Sequence, residues 1–187
     1  MIETVRLRLR PWSSGDLPPL AAMLSDAEVM HDMGRTETLT EAEERMARYQ
    51  AQIERLGFGK WAVERRDDAG LIGFVGVGEI YPNWPIHPGL EIGWRLSRSS
   101  WGRGYASEAA EAAIRQAFEQ SSAARIYSVT DETNARSRAV MERLGLTRLP
   151  ALDHPHESTP GLTRVVHAAE RAIWLQAPRS RAAFGAK

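Results

Sequence analysis

The most specific pattern in this chain is WRLSRSSWGRGYASEAAEAAIR, at residues 94–115. A strand is predicted to end near Leu96, and a loop containing Gly102 and Gly104 follows it. From Ala106 onward, apolar residues recur at intervals of three and four, which predicts a helix that begins directly after the glycine-rich turn. Such a turn leaves several backbone N–H groups unpaired at the positive end of the helix, an arrangement that binds phosphate or pyrophosphate.

The glycine spacing differs from that of two common phosphate-binding motifs. A P-loop places Lys and then Ser or Thr after its second glycine, whereas Tyr105 and Ala106 follow Gly104 here. The dinucleotide-binding fingerprint requires a third glycine, and Ser107 occupies that position. A Gly-x-Gly turn between a strand and a helix is also a common structural connection, so the wider sequence is needed to separate the two explanations.

A longer string, LEIGWRLSRSSWGRGYASEAAEA at residues 90–112, resembles the acetyl-CoA-binding motif of the GNAT N-acetyltransferases, specifically of their RimJ/RimL-type branch. Residues 4–24 resemble that branch's first strand and helix, and residues 57–77 resemble its second and third strands. Residues 130–146 resemble its motif in which Asn and Ser open a helix that ends in Leu-Gly. Several motifs in the right order are more specific than any one of them.

The resemblance implies an α/β (α+β) GNAT fold with a mixed, mostly antiparallel central sheet of six to seven strands flanked by helices. The residue patterns themselves predict the element order β-α-α-β-β-β-α-β-α-β. Thr40 with Glu43 predicts a capping box for a helix at residues 41–56, and the last strand is predicted at residues 164–174. A splayed strand pair that holds the cofactor comes only with the resemblance.

Composition places the chain among ordinary globular proteins of one domain. Its 187 residues are 43% hydrophobic and 26% charged, and 24 basic side chains balance 24 acidic ones. Neutral net charge gives no reason to expect a nucleic-acid or membrane partner, although Arg6, Arg8 and Arg10 raise a nucleic-acid-binding accessory as a rival function. We expect residues 1–175 to form a single acetyltransferase domain and residues 176–187 to form a short, flexible tail.

Cysteine is absent from the chain, which excludes disulfides, thiolate metal sites and a cysteine nucleophile. The first ten residues, MIETVRLRLR, lack the apolar segment of a signal peptide, and no apolar run approaches the length of a membrane span. We therefore expect a cytoplasmic protein. His154, His156 and His167 lack zinc-ligand spacing on a common element, so no metal is expected.

The resemblance implies that acetyl-CoA is the cosubstrate and that backbone groups bind most of it. The pantetheine arm would pair with the strand, and the pyrophosphate would face the amides of the turn. The cofactor-binding residues implied in this way are Trp94, Arg95, Leu96, Gly102, Arg103, Gly104, Tyr105, Ala106, Asn134 and Ser137. Gly102 and Gly104 suit this role because a Cβ would obstruct the approach. The family favours Gln or Arg where Ser99 stands, so Arg98 or Arg103 would supply charge instead, although both are also explained as solvated surface residues.

Asn134 and Ser137 lie where a strand gives way to a helix. An asparagine there is an ordinary helix cap, and the matching family residue bonds the pantetheine arm near the thioester; the two roles are compatible. A serine in a first helical turn is also commonplace. By the resemblance, Ser137 is the proposed general acid near the leaving sulfur.

The general base has two candidates, Glu79 and Glu91, because the acceptor ammonium must lose a proton before its nitrogen attacks. Glu91 lies in the cofactor strand and matches a glutamate that some GNAT members use. A solvated position opposite Ile92 is an equally good explanation for it. Glu79 ends an apolar strand on the face of Val75 and Val77, which favours it slightly.

The final strand departs from the family pattern. Related chains carry a tyrosine that acts as an acid where Glu170 stands here, so that role is unsupported. His167 in the same strand is expected to be structural. Asp153, His154 and Pro155 resemble a family turn that shapes a loop.

The function implied is transfer of an acetyl group directly to a primary amine, by a monomer or homodimer, without an acyl-enzyme. The acceptor is either a protein N-terminal amine, such as that of a ribosomal protein, or a small amine or amino-acid-like metabolite. The alternative is a non-catalytic acyl-CoA-binding or sensing module on the same fold. The acceptor is expected to enter between residues 24–35 and 81–89. The side chains expected to line that entry are Met23, Met30, Met33, Trp84 and Ile86.

Overall fold

Residues 1–80, 82, 84–157 and 159–176 are described by the computed structural model and contain nine strands and five α-helices. The strands are β1 (Ile2–Glu3), β2 (Leu7–Arg10), β3 (Lys60–Arg65), β4 (Leu71–Glu79), β5 (Leu90–Leu96), β6 (Arg125–Asp131), β7 (Thr147–Arg148), β8 (His154–Pro155) and β9 (Thr163–Glu170). The helices are α1 (Leu17–Leu24), α2 (Leu39–Leu56), α3 (Tyr105–Gln120), α4 (Ala135–Arg143) and α5 (Arg171–Trp174). The expected tail lies outside the described residues, apart from Gln176.

All nine strands form one open sheet in the order β1-β2-β3-β4-β5-β6-β9-β7, with β8 paired to β9. Every neighbouring pair is antiparallel except β5 and β6, which are parallel. The mixed, mostly antiparallel sheet and the predicted order of the main elements are therefore confirmed. The number of strands exceeds the expected six to seven because β1, β7 and β8 contain only two residues each, too few for a sequence pattern to mark.

Two boundaries differ from those predicted. Helix α2 begins at Leu39, because Thr38 is its N-cap and Glu41 closes the capping box. The sequence contains two overlapping Thr-x-x-Glu patterns, and the earlier one forms the cap. Strand β9 ends at Glu170, which pairs with Arg125 at the beginning of β6. Since the partner strand stops there, the chain continues as helix α5, whose Trp174 packs against Phe118.

The main core is formed by the sheet together with helices α1, α2 and α3. The apolar stripe of α3 is fully buried and contains Ala109, Ala110, Ala113, Ile114, Ala117 and Phe118. Four of these are alanines, which allow the helix axis to approach the strands closely and fix its N-terminus beside the end of β5. Among the described residues, no helix combines the length and the apolar content required to cross a membrane.

The three arginines in and next to β2 are paired with carboxylates. Arg8 and Arg10 both bind Glu64 of the neighbouring strand, and Arg10 also binds the buried carboxylate of Asp16. Arg6 binds Glu108 of α3. These partners reduce the free positive charge that prompted a nucleic-acid-binding function.

Candidate active site

The site begins where β5 and β6 separate. These seven-residue strands are paired only at Leu90 with Ile126 and at Glu91 with Tyr127. Just beyond, the buried hydroxyl of Ser128 donates a hydrogen bond of 3.2 Å to the carbonyl of Ile92. No further β5–β6 pairs follow, so the strands diverge toward their carboxyl ends. The splayed pair is present, and Ser128 closes its apex.

The backbone of β5 is paired along its whole length with β4, but its other edge is open beyond the apex. Successive residues of a strand direct their N–H and C=O groups to opposite edges. Because the Ile92 carbonyl faces the gap, the N–H and C=O of Trp94 face it too, whereas those of Arg95 face β4. The Leu96 carbonyl accepts a hydrogen bond of 2.8 Å from the Trp101 indole. Trp94 therefore has the open backbone groups.

The glycine turn leads directly into α3. Gly102 and Gly104 have φ angles of +72° and +78°, in the region that favours glycine, and Gly104 is the N-cap. A Cβ at Gly102 would have no atom of the described residues within 4 Å, so it would project into open space. The first amides of α3 have no helical acceptor. The turn thus offers N–H groups and helix-end positive charge to an anion without side-chain obstruction.

The gap and the turn open into one cavity of about 770 Å³, within the range that binds small ligands. Its lining includes every residue predicted to bind the cofactor: Trp94, Arg95, Leu96, Gly102, Arg103, Gly104, Tyr105, Ala106, Asn134 and Ser137. Five arginines line it, namely Arg6, Arg95, Arg103, Arg136 and Arg143, against one carboxylate, Asp32. The cavity is therefore positively charged and suited to a polyanionic ligand.

Arg6, directly before β2, joins the amino-terminal segment to the glycine turn, a contact that sequence reasoning missed. Its Nε donates to the carboxylate of Glu108 at 2.7 Å, and its Nη1 donates to the carbonyl of Arg103 at 2.9 Å. Its guanidinium also lies 4.7 Å from the centre of the Tyr105 ring. Glu108 is only 6% exposed and also accepts a hydrogen bond from Thr4. Arg6 therefore holds both the turn and the first turn of α3.

The predicted anion partners differ in position. Arg98 is outside the cavity lining and binds Glu28 at 2.8 Å. Arg103 lines the cavity, as do two arginines of α4 that the sequence did not single out. Arg136 stacks on the Trp101 ring at 4.0 Å, and Arg143 donates a hydrogen bond of 3.1 Å to the Ser107 hydroxyl.

Asn134 caps helix α4, and its side-chain oxygen accepts a hydrogen bond of 3.1 Å from the Ser137 amide. The ordinary capping role is thus present. Asn134 and Ser137 also line the cavity, at the end of β6 and across the gap from Trp94. Within the described part of the chain, no hydrogen bond engages the Asn134 amide nitrogen or the Ser137 hydroxyl. Both groups remain available to a ligand.

The two glutamate candidates occupy different environments. Glu79 is 55% exposed, and its carboxylate binds Arg55 on α2, with one contact of 3.2 Å. Glu91 is 16% exposed and lies in the last β5–β6 pair before the gap. Burial raises the pKa of Glu91 above its ordinary value, and the Lys60 ammonium, 3.9 Å away, offsets part of that rise. Neither glutamate lines the cavity. Glu91 lies at the apex of the β5–β6 gap, and its β4 partner Gly78 faces Gln52 of α2.

The expected acceptor entry is only partly a surface. Met23 and Met30 are buried in the main core and Ile86 in a smaller apolar cluster, so these three do not line an open pocket. Met33 is exposed, and the Trp84 ring lies 6.0 Å from that of His154. Residues 81 and 83 of the expected entry lie outside the described residues.

Residues 24–35 reach the site through a contact that the sequence did not reveal. Arg95 binds both carboxylate oxygens of Asp32, at 2.8 and 3.0 Å, and also the carbonyl of Val29. This fork fixes the segment beside β5, where His31 and Asp32 line the cavity.

Asp153, His167 and Glu170, singled out in the sequence, are outside the cavity lining. His167 is buried, and burial lowers its pKa, which favours the neutral ring. Glu170 binds Arg125 across the β6–β9 pair at 2.5 Å. Asp153 binds Arg148 and accepts a hydrogen bond from the Val166 amide, which fixes the loop before β8. Over the described ranges, no group of three or more His, Asp or Glu side chains could hold a metal ion.

Comparison with known proteins agrees with this geometry. The model of the family described as Acetyltransferase (GNAT) domain matches residues 6–147. FsC-acetyl coenzyme A-N(2)-transacetylase of Aspergillus fumigatus is 31% identical over 136 residues, covering 64% of this chain and 53% of that protein. The chain thus spans about half the length of that relative. The uncharacterized N-acetyltransferase YoaA of Bacillus subtilis is 27% identical over 150 residues, covering 79% of this chain and 83% of that protein.

Solved structures show the same fold. The crystal structure of an acetyltransferase from Agrobacterium tumefaciens superposes with a TM-score of 0.75 at 28% identity, over 90% of this chain and 93% of that one. The ribosomal-protein-S5-alanine acetyltransferase of Vibrio fischeri superposes with a TM-score of 0.70 at 16% identity, over 92% and 97% of the two chains. At that identity the second likeness concerns the fold alone.

Proposed function

Because this chain belongs to the GNAT acetyltransferase family, we propose that it moves the acetyl group of acetyl-CoA directly to the nitrogen of a primary amine. The observation that carries the proposal is the β5–β6 gap, which opens beside a glycine turn into one positively charged cavity. We assign the activity to residues 1–175 as a single domain. The motif at residues 90–112 also supports placement in the RimJ/RimL-type branch.

The cavity fits coenzyme A part by part. The phosphates of coenzyme A match the free amides of the glycine turn and the positive charge of Arg103, Arg136 and Arg143. The amide-bearing pantetheine arm matches the open N–H and C=O of Trp94, in the manner of an added strand. The arm would then run toward the apex that Ser128 closes, which places the thioester next to Glu91.

Acetyl-CoA supplies an acetyl group activated as a thioester, which the acceptor nitrogen attacks with loss of the thiol. Glu91 accepts the proton that the attacking amine loses, since its carboxylate lies at the apex and is shielded from solvent. The Ser137 hydroxyl, which has no hydrogen-bond partner among the described residues, donates a proton to the departing sulfur. We set Glu79 aside because its exposed carboxylate binds Arg55.

Two classes of acceptor are proposed: a protein N-terminal amine, and a small amine or amino-acid-like metabolite. The Aspergillus fumigatus relative is named as a transacetylase that acts at an N(2) nitrogen, which supports nitrogen as the atom acetylated. The RimJ/RimL-type motif supports a protein N-terminal amine. A small amine or amino-acid-like metabolite is equally compatible with the apex, where Lys60 and Glu91 lie 3.9 Å apart.

A coupled thiol assay tests the activity. The purified protein is incubated with acetyl-CoA and a panel of amines: peptides with free or blocked N-termini, polyamines and amino acids. Free CoA is read with a thiol reagent, and the protein itself gives no background because the chain has no cysteine. We expect CoA release that depends on a free amine. A protein that binds acetyl-CoA but releases no CoA with any amine would instead be the non-catalytic sensing module.

Replacing Ser137 with Ala tests the proposed acid. We expect kcat to fall by about 100- to 10,000-fold, the range for general acid catalysis, because the sulfur then leaves without a proton donor. The Kd for CoA, measured by calorimetry, is expected to change little. Ser99→Ala is the matched control, since Ser99 is exposed and outside the cavity lining. An unchanged kcat in Ser137→Ala would leave Ser137 as an ordinary first-turn residue.

A further inference from the structure

The use of lysine in this chain is unusual. The sequence contains 22 arginines and only two lysines, Lys60 and Lys187. Lys187 lies outside the described residues. Lys60 is therefore the single lysine of the described structure, and its side chain is only 12% exposed. A buried lysine among so many arginines calls for a role that arginine cannot fill.

Lys60 reaches the apex of the gap by crossing two glycines. It pairs with Gly76 on β4, and Gly76 pairs with Gly93 on β5, so the three residues form a row across the sheet. A Cβ at Gly93 would lie 2.7 Å from Lys60 Nζ. A Cβ at Gly78, which pairs with Glu91, would lie 3.4 Å from Lys60 Cε. Because Gly78 and Gly93 have no side chains, the lysine extends over both and brings Nζ to 3.9 Å from the Glu91 carboxylate.

The distance matters for the chemistry. At 3.9 Å the ammonium is too far to form a hydrogen bond with Glu91, so it does not occupy the carboxylate lone pairs. It is close enough for strong attraction between opposite charges in a partly buried site. Glu91 thus gains a stabilising positive charge. Its carboxylate accepts a hydrogen bond from the Val129 amide, and the remaining lone pairs stay available to a proton. Arginine, with a planar fork that binds carboxylates at two points, would occupy them.

Other charges around the pair are already engaged. Arg45 of α2 repels Lys60 but is held by Glu37, and Arg164 of β9 faces Glu91 but binds Asp131 at 2.8 Å. Burial lowers the pKa of Lys60, and the attraction of Glu91 offsets part of that shift. The nearest cation to the Glu91 carboxylate in the described structure is Lys60.

We propose that Lys60 is the positioning residue of the proton acceptor: its ammonium keeps the Glu91 carboxylate ionised, so that Glu91 can take the proton of the acceptor amine. This inference rests on the proposed role of Glu91. Lys60 itself forms no bond to the acetyl group and transfers no proton. It acts by charge across the glycine row.

The first test measures the electrostatic interaction between Lys60 and Glu91 by NMR titration, without any catalytic turnover. Protein labelled with ¹³C at lysine Cε gives two NMR signals, one for Lys60 and one for Lys187, and Lys60→Arg assigns them. We expect Lys60 to titrate at a lower pH than Lys187. In Glu91→Gln the pKa of Lys60 is expected to fall by a further 1–3 units or so, because the opposite charge is gone. An identical pKa of Lys60 in the parent and in Glu91→Gln would overturn the inference.

The second test is the pH dependence of kcat/KM. Removing the ammonium in Lys60→Met raises the pKa of Glu91, so the acidic limb of the profile should move upward by about 1–3 pH units. Gly93→Ala pushes Nζ away while keeping both charges, and should shift the limb in the same direction. Arg55→Met, which removes a cation from the exposed Glu79 pair, is the matched control and should not shift it.

The pH profiles of these variants distinguish failure of the role proposed for Lys60 from failure of the role proposed for Glu91. If Glu91→Gln keeps the parent profile, Glu91 is not the base and the proposed proton route fails. If Glu91→Gln abolishes the limb but neither Lys60→Met nor Gly93→Ala moves it, only the role of Lys60 fails. A shift in Arg55→Met instead would transfer the charge-tuned base to Glu79.

Discussion

Replacing Glu91 with Gln is expected to lower kcat/KM by about 100- to 10,000-fold, the range of general base catalysis. The side chain keeps its size and its place beside the gap, so the loss would come from the missing proton acceptor. An acceptor ammonium has a pKa of about 8 for an α-amine and about 10 for a side chain, so near neutrality most of the amine is protonated and cannot attack.

The direction in which kcat/KM changes with pH follows from the ionisation of Glu91. Burial raises the pKa of Glu91, and the carboxylate must be ionised to accept a proton. The parent rate should therefore fall as the pH drops through that raised pKa, and this acidic limb should vanish in Glu91→Gln. Glu79→Gln is the matched control, because it makes the same chemical change at an exposed glutamate. A full rate in Glu91→Gln with a lost rate in Glu79→Gln would reverse the assignment.

Replacing Gly102 with Val is expected to raise the Kd for CoA by about 100-fold, which corresponds to about 2.7 kcal/mol of binding free energy. The new side chain would project into the open space above the turn, where the phosphates are proposed to lie. It would also strain a residue at φ +72°, which costs roughly 1–3 kcal/mol and misaligns the amides. Calorimetric titration with CoA measures the affinity.

Gly145 supplies a close control for that variant. It has φ +68°, a Cβ there would also meet no atom within 4 Å, and it lies at the end of α4 outside the cavity lining. Gly145→Val should therefore lower the melting temperature about as much as Gly102→Val while leaving the Kd for CoA unchanged. Equal CoA affinities in the two variants would place the phosphates elsewhere.

Local patterns were enough to predict much of the fold. Strand β9 and helix α3 each begin within a residue of their predicted starts. Each of these features depends on residues close in sequence. The glycine turn was recognisable for the same reason, since its meaning lies in a few consecutive amides.

Contacts between distant residues left no such signal. Arg6 and Glu108 are 102 residues apart, and Arg95 and Asp32 are 63 apart. Nothing local to either partner distinguishes such arginines from solvated ones. Alternation placed Glu79 on the face of Val75 and Val77, but a strand pattern does not reveal where the cover over a sheet ends. The proposed role of Lys60 became recognisable only from the strand register, which aligns Lys60 with two glycines.

The hydrogen bonds from Arg6 to Arg103 and Glu108 couple the docking of the amino-terminal segment to ligand binding. One guanidinium ties the amino-terminal segment to the turn proposed to hold the phosphates. Docking of that segment and occupancy of the turn are therefore linked equilibria, and each must strengthen the other by the same factor. Hydrogen exchange at β1 and β2 would slow when the cavity fills. A fusion that frays the first strand would weaken ligand affinity from outside the pocket.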